Sequence, residues 1–129
     1  MKKQRAFSMS LTRGVIVAYE NTTAKEVAEL MVKHNIGAVI IIKKERVVGI
    51  VSERDIARRV VAKALPVTTK AKNFMTKDVV TADFKDGLNK IYQVLCQAKF
   101  RHLPIMDGKK LVGIASQRDV LYGVTRKRP

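Results

Sequence analysis

The chain has little of what builds covalent frameworks or metal sites. One cysteine, Cys96, in 129 residues excludes an internal disulfide framework and any multi-cysteine zinc site. A cytoplasmic location is the expectation, because disulfide-rich chains belong to oxidising compartments. The two histidines, His34 and His102, lie far apart in sequence, and no Cys or His pair stands at zinc spacing. Long apolar runs are missing too. The longest, Ile36 to Ile42, has seven residues against the roughly 20 that a bilayer-spanning helix needs, so no membrane span is expected. The basic start MKKQRAFSMS has no apolar stretch behind it and reads as a tail and not as a signal peptide. No Gly-x-x-x-x-Gly-Lys-[Ser/Thr] loop, nucleophile elbow or His-Glu-x-x-His occurs. Cys96, among apolar neighbours in a helical stretch, reads as a core residue. No residue supports catalysis, and an enzyme is not expected.

Acidic residues are scarce: 11 Asp+Glu against 26 Lys+Arg, a net charge of +15. Such an excess points to an anionic partner. The cations cluster in the tails (Lys2, Lys3, Arg5; Arg126, Lys127, Arg128), in turns (Lys43, Lys44, Arg46; Lys109, Lys110) and on a helix face (Arg58, Arg59, Lys63). Nucleic acid is therefore an alternative partner, bound through phosphate contacts. Against it stand an aromatic content of 5% and the absence of any sequence-reading motif. Apolar residues at 47% and charged residues at 29% are ordinary globular usage and exclude wholesale disorder.

What is present is an internal repeat. Leu11–Val61 aligns without a gap on Met75–Thr125, an offset of 64 residues, with eleven identities. Six of them fall in one eight-residue window, Val48–Asp55 against Val112–Asp119, a clustering that scattered chance does not produce. Each copy reads as β-α-β-β-α. A short strand opens it, Val15-Ile16-Val17 in one copy and Val79-Val80-Thr81 in the other. The first helix is announced by a capping box, Thr23-x-x-Glu26, with Val27, Leu30, Met31 and His34 at helical spacing. In the second copy Asp86 is the expected cap, with Leu88, Ile91, Val94, Leu95 and Ala98 on the inner face. Two strands follow: Ala38–Ile42 and Val47–Val51 around the charged turn Lys43–Arg46, then His102–Met106 and Leu111–Ala115 around Asp107-Gly108-Lys109-Lys110, where Asp-Gly is a hairpin signal. Pro104 is expected at a strand start or edge. A last helix begins at Ser52 or Ser116, the first of them stopping before Pro66. Residues 65–74 read as a polar connector. The expected class is α/β (α+β), with repeats over 8–64 and 72–125 and basic tails over 1–7 and 126–129.

The densest identity is Gly49-Ile50-Val51-Ser52-Glu53-Arg54-Asp55, repeated through Ser116 and Asp119. Glycine at 49 suits a strand that something approaches closely. Ser52 ends that strand and opens a helix, whose free amides and dipole favour an anion such as phosphate. An ionised Asp55 accepts hydrogen bonds only, and so suits the two hydroxyls of a ribose. Ser-x-x-Asp at a helix start is equally a capping box that ties off its own backbone, and both readings are open. Arg54 and Arg118 precede the aspartates and Arg101 flanks the second copy. Arginine forks suit phosphate oxygens, although Arg54 and Arg118 also fit a solvated helix face.

The element order, the period and this motif, together with FRHLPIMDGKKLVGIASQRDV at 100–120, resemble a tandem pair of cystathionine β-synthase (CBS) domains, the Bateman module, over about residues 8–125. The resemblance implies a pseudo-two-fold disc of two repeats that often dimerises, with adenosyl ligands in clefts between the repeats and no enzyme activity. It implies Asp55 and Asp119 on ribose, Ser52 and Ser116 on phosphate with Arg54, Arg118 and Arg101 nearby, and an adenine pocket of Val15, Ile16, Ala38, Val79, Val80 and His102. AMP, ADP or ATP are favoured over S-adenosylmethionine, whose sulfonium is cationic, or NAD; no cofactor is required. A homodimer that signals to an effector protein in trans is the expected arrangement.

Overall fold

A computed structural model of the chain describes residues 15–97 and 101–116. The chain divides into two compact units, one over Ile16–Val79 and one that takes up the chain from Val80.

In the first unit, strand β1 (Val17–Tyr19) leads into helix α1 (Ala24–His34), followed by β2 (Ala38–Lys43), β3 (Arg46–Ser52) and helix α2. The α2 helix opens as an α-turn at Glu53–Asp55 and widens into π-helical turns over Ile56–Val61. The sheet order is β1-β2-β3, with β1 parallel and β3 antiparallel to β2. The strand expected at Val15-Ile16-Val17 starts two residues later. Its register is set by β2, where Val17, Ala18 and Tyr19 face Ile40, Ile41 and Ile42; β-branched propensity alone does not fix where pairing begins.

The first four amides of a helix have no partner inside it, and here each finds one. Ala24 N donates to Thr69 O and Lys25 N to Val67 O. Glu26 N donates to Thr23 Oγ1 at 3.2 Å, while Glu26 Oε1 accepts from Thr23 N at 3.0 Å, the reciprocal box expected from the sequence. The bond from the Thr23 amide, then that from its hydroxyl, lowers the Glu26 pKa below the ordinary carboxylate value. At the other end Asn35 takes a left-handed φ of 51°, which asparagine tolerates better than most residues. Ala24, Val27 and Met31 are buried, Leu30 packs against them and His34 is exposed. The core gathers these with Val39, Ile41, Val51 and Val60.

The stretch expected to be a polar connector is only partly so. Its end forms a 3-10 turn, Ala71–Asn73, and Ala71, Phe74 and Met75 are buried in the first core. Phe74 is only 2% exposed. A backbone bridge joins Thr76 to Ile50 of β3 in both directions, at 2.9 and 3.0 Å. One aromatic and one methionine placed after a polar run leave no periodic trace, which is why the sequence does not announce this packing.

The second unit has β4 (Ala82–Asp83), a 3-10 turn at Phe84–Asp86, α3 (Leu88–Gln97), β5 (His102–Asp107) and β6 (Lys110–Ser116) in the sheet order β4-β5-β6. Ala82, Ile91, Leu95, Leu103, Ile105 and Ala115 are buried together. Ala98 lies outside the described residues. Four expectations are corrected here. The opening strand is not at Val79-Val80-Thr81 but at Ala82–Asp83. Pro104 stands within the central strand, opposite Ile114 of β6, and not at a strand start. Its position matches Ile40, the partner of Val17; having no N–H to give, it has no partner in β4, which pairs only with Ile105 and Met106. The missing rung accounts for β4 being one residue shorter than β1. Asp86, expected to cap α3, instead closes a box within the preceding 3-10 turn: its carboxylate accepts from Asp83 N at 3.1 Å, while Asp83 Oδ1 accepts from Lys85 N at 2.8 Å and caps that turn. Finally, Cys96 is exposed, because it sits about 100° around the helix from the buried Leu95.

The two hairpins differ at their tips. Lys44 and Glu45 both take positive φ, 49° and 67°, a conformation that costs a side-chain-bearing residue about 1–2 kcal/mol. In the second unit the matching first position is Gly108, at φ 61°. Replacing Lys44-Glu45 with Asn-Gly is expected to raise stability by about 1 kcal/mol. A chemical denaturation midpoint that stays put or falls would contradict this reading of the turn.

Candidate functional site

The corner where β3 becomes α2 is built by Ser52, which ends the strand with φ −103° and ψ 167°. Ser52 stands directly opposite Ala38 across the β2–β3 ladder. In the second unit Ser116 stands opposite His102 in the same way, so each serine has beside it the residue expected to open the adenine pocket. Ala38 is buried and His102 half-buried. Val15 and Ile16 precede β1 and Val79 and Val80 precede β4. Arg54 and Arg101 are exposed. Arg118 and Asp119 lie outside the described residues.

At Ser52 and Asp55 the capping geometry is realised. Ser52 Oγ accepts from Asp55 N at 3.2 Å, and Asp55 Oδ2 accepts from Ser52 N at 2.9 Å and from Ser52 Oγ at 3.2 Å. The Glu53 amide donates to Gly37 O at 3.0 Å. The amides of residues 53 and 55, which the sequence offers to a phosphate, are thus engaged within the protein.

Two further groups meet this carboxylate, neither of them expected from the sequence. The Thr76 hydroxyl lies 3.2 Å from Asp55 Oδ1 and 3.3 Å from Oδ2, so its single proton is shared between them. Arg59 Nε lies 3.6 Å from Oδ1. The same guanidinium donates through Nη1 to Phe74 O at 3.3 Å and Met75 O at 3.1 Å. Asp55, at 13% side-chain exposure, therefore joins the helix cap to the segment over residues 74–76. Signals for both existed: Arg59 is at the i+4 ion-pair spacing from Asp55, and Thr76 repeats Thr12, one of the eleven identities.

Gly49 also faces this segment. A Cβ there would overlap Met75 Sδ and lie 2.8 Å from Met75 Cγ and 3.1 Å from Thr76 O. The close approach expected of this glycine comes from the chain itself. Gly49→Ala is expected to cost about 1–3 kcal/mol through overpacking; a melting temperature equal to wild type would show that Met75 yields freely.

Among the described residues, no three His, Cys, Asp or Glu groups could hold a metal ion, and no helix is long and apolar enough to cross a membrane.

Two copies of one strand–helix–hairpin pattern, each with a serine at the end of its last strand, define a tandem α+β repeat. The model of the CBS domain family matches residues 8–62 and again 71–125, and the chain belongs to that family. It is 32% identical over 111 residues to the CBS domain-containing protein YhcV of Bacillus subtilis, covering 86% of this chain and 79% of that one. Other curated relatives are longer: the chain spans 36% of one from Thermofilum pendens and 57% of one from Methanopyrus kandleri. Among solved structures, a CBS-domain protein from Burkholderia ambifaria superposes with a TM-score of 0.86 at 26% identity over 95% of both chains. A CBS domain protein from Pyrobaculum aerophilum, complexed with AMP, gives 0.81 at 26% identity over 92% of this chain and 97% of that one.

Proposed function

We propose that this chain is a regulatory module that binds an adenine nucleotide and signals its presence to a separate effector protein, as a homodimer. The observation that carries this reading is the similarity to the Pyrobaculum protein complexed with AMP, taken with the repeated Ser-x-Arg-Asp of this sequence. Asp55 and Asp119 would accept the ribose hydroxyls. Ser52 and Ser116, with Arg54, Arg118 and Arg101, would meet phosphate. Val15, Ile16, Ala38, Val79, Val80 and His102 would surround adenine. The arginines and the net charge of +15 favour AMP, ADP or ATP over a cationic sulfonium ligand. Signalling follows if the ligand binds one conformation of the module better than another.

Calorimetric titration of the full chain with AMP, ADP, ATP, NAD and S-adenosylmethionine tests the reading. Saturable binding of at least one adenine nucleotide is the expected result. Failure of every adenosyl compound to bind below millimolar concentration removes it.

A further inference from the structure

We propose that Asp55 serves two mutually exclusive sets of partners, so that binding a ribose at this corner and holding the segment over residues 74–76 compete. This rests on the nucleotide-binding reading above and adds to it a regulatory role for Thr76 and Arg59.

A carboxylate offers about four acceptor positions. In the structure, two go to the cap, to Ser52 N and Ser52 Oγ. The others face Thr76 Oγ1 and Arg59 Nε. A ribose brings two hydroxyl donors and needs two positions, so one of these sets must give way. Releasing the cap would strand the backbone amide of Ser52 in a half-buried place, and an unpaired buried amide is the costlier loss. Releasing the other set returns a hydroxyl and a guanidinium whose side chain is already 46% exposed, and water can take up that group. Thr76 and Arg59 are therefore the partners that yield.

The consequence is local and directional. Arg59 is oriented by Asp55 while it holds the carbonyls of Phe74 and Met75. Thr76 carries the backbone bridge to Ile50. Ligand at Asp55 loosens both holds on the stretch by which the chain leaves the first unit. Thr76 and Arg59 thus act as positioning residues, through Asp55 and without touching the nucleotide.

The test is titration of AMP into the wild-type chain, Thr76→Val and Thr76→Ser, with amide exchange over residues 71–79 followed with and without AMP. Competition predicts that Thr76→Val binds AMP about threefold to tenfold more tightly than wild type, the worth of one hydrogen bond removed from the free state alone. Thr76→Ser, which keeps the hydroxyl, should bind as wild type does and shows that the site tolerates substitution. Amides over 71–79 should exchange faster when AMP is bound. If wild type binds AMP but Thr76→Val binds equally or more weakly, or if exchange slows or does not change, the competition is wrong and the nucleotide reading stands. If wild type binds no AMP, both fall together.

Discussion

Phe74→Ala should lower the stability of the chain by about 3–5 kcal/mol, the usual cost of emptying a buried phenylalanine site. For a chain of this size that is on the order of 10–20 °C in melting temperature. The effect comes from a segment that reads in the sequence as a link between repeats. Phe74 is buried with Ala71 and Met75 against Val51 and Val60, and Arg59 covers its carbonyl at 3.3 Å. Val67→Ala, a little earlier in the same stretch and 57% exposed, is the control; it should move stability by less than about 0.5 kcal/mol. Thermal unfolding of the two variants separates them, and a Phe74→Ala loss as small as that of Val67→Ala would mean that the first core closes without this ring.

Asp55→Ala should act twice. Stability should fall by about 2–3 kcal/mol, because Ser52 N, Ser52 Oγ and Thr76 Oγ1 all lose a charged acceptor. The Arg59 pair adds little to that figure, since its guanidinium is half exposed and screened. On the function proposed above, nucleotide affinity at this site should fall tenfold or more, as a ribose would lose a charge-assisted partner. On the same proposal, Asp119→Ala should weaken nucleotide binding at the second repeat by a similar factor. Melting curves and calorimetry on each variant are the measurements. AMP affinity untouched in both variants, with stability lost in Asp55→Ala, would leave Asp55 as a helix cap alone and remove the ribose role from both aspartates.

The features that could be read from the sequence are those set by local chemistry. Thr23 and Glu26 cap α1 because both partners lie within one turn. The hairpins around residues 44 and 108 follow from β-branched runs broken by turn residues, and the 64-residue period predicts that the ladder irregularity between Ile41 and Ile42 recurs between Ile105 and Met106, as it does. What escaped depends on distance in sequence. The start of β1 is decided by Ile40–Ile42, and the shortness of β4 by Pro104. The sequence leaves the Ser52–Asp55 box open beside a ligand corner, and nothing local to it points to Thr76, 21 residues beyond Asp55. Arg59 escaped for another reason: its spacing to Asp55 suggests an ion pair, but nothing local shows that its other nitrogen meets the carbonyls of Phe74 and Met75.

The burial of Phe74 and Met75 separates two boundaries that a duplicated chain is often assumed to share. The sequence repeats at an offset of 64 residues, yet the first core is completed by Ala71, Phe74 and Met75, which lie within the second family match over residues 71–125. The second family match begins at residue 71 and the first compact unit ends at Val79, an overlap of nine residues. A cut made at residue 71 would leave the first unit without its keystone, so exchange of a single copy is expected to succeed only when residues 71–79 travel with the half they complete.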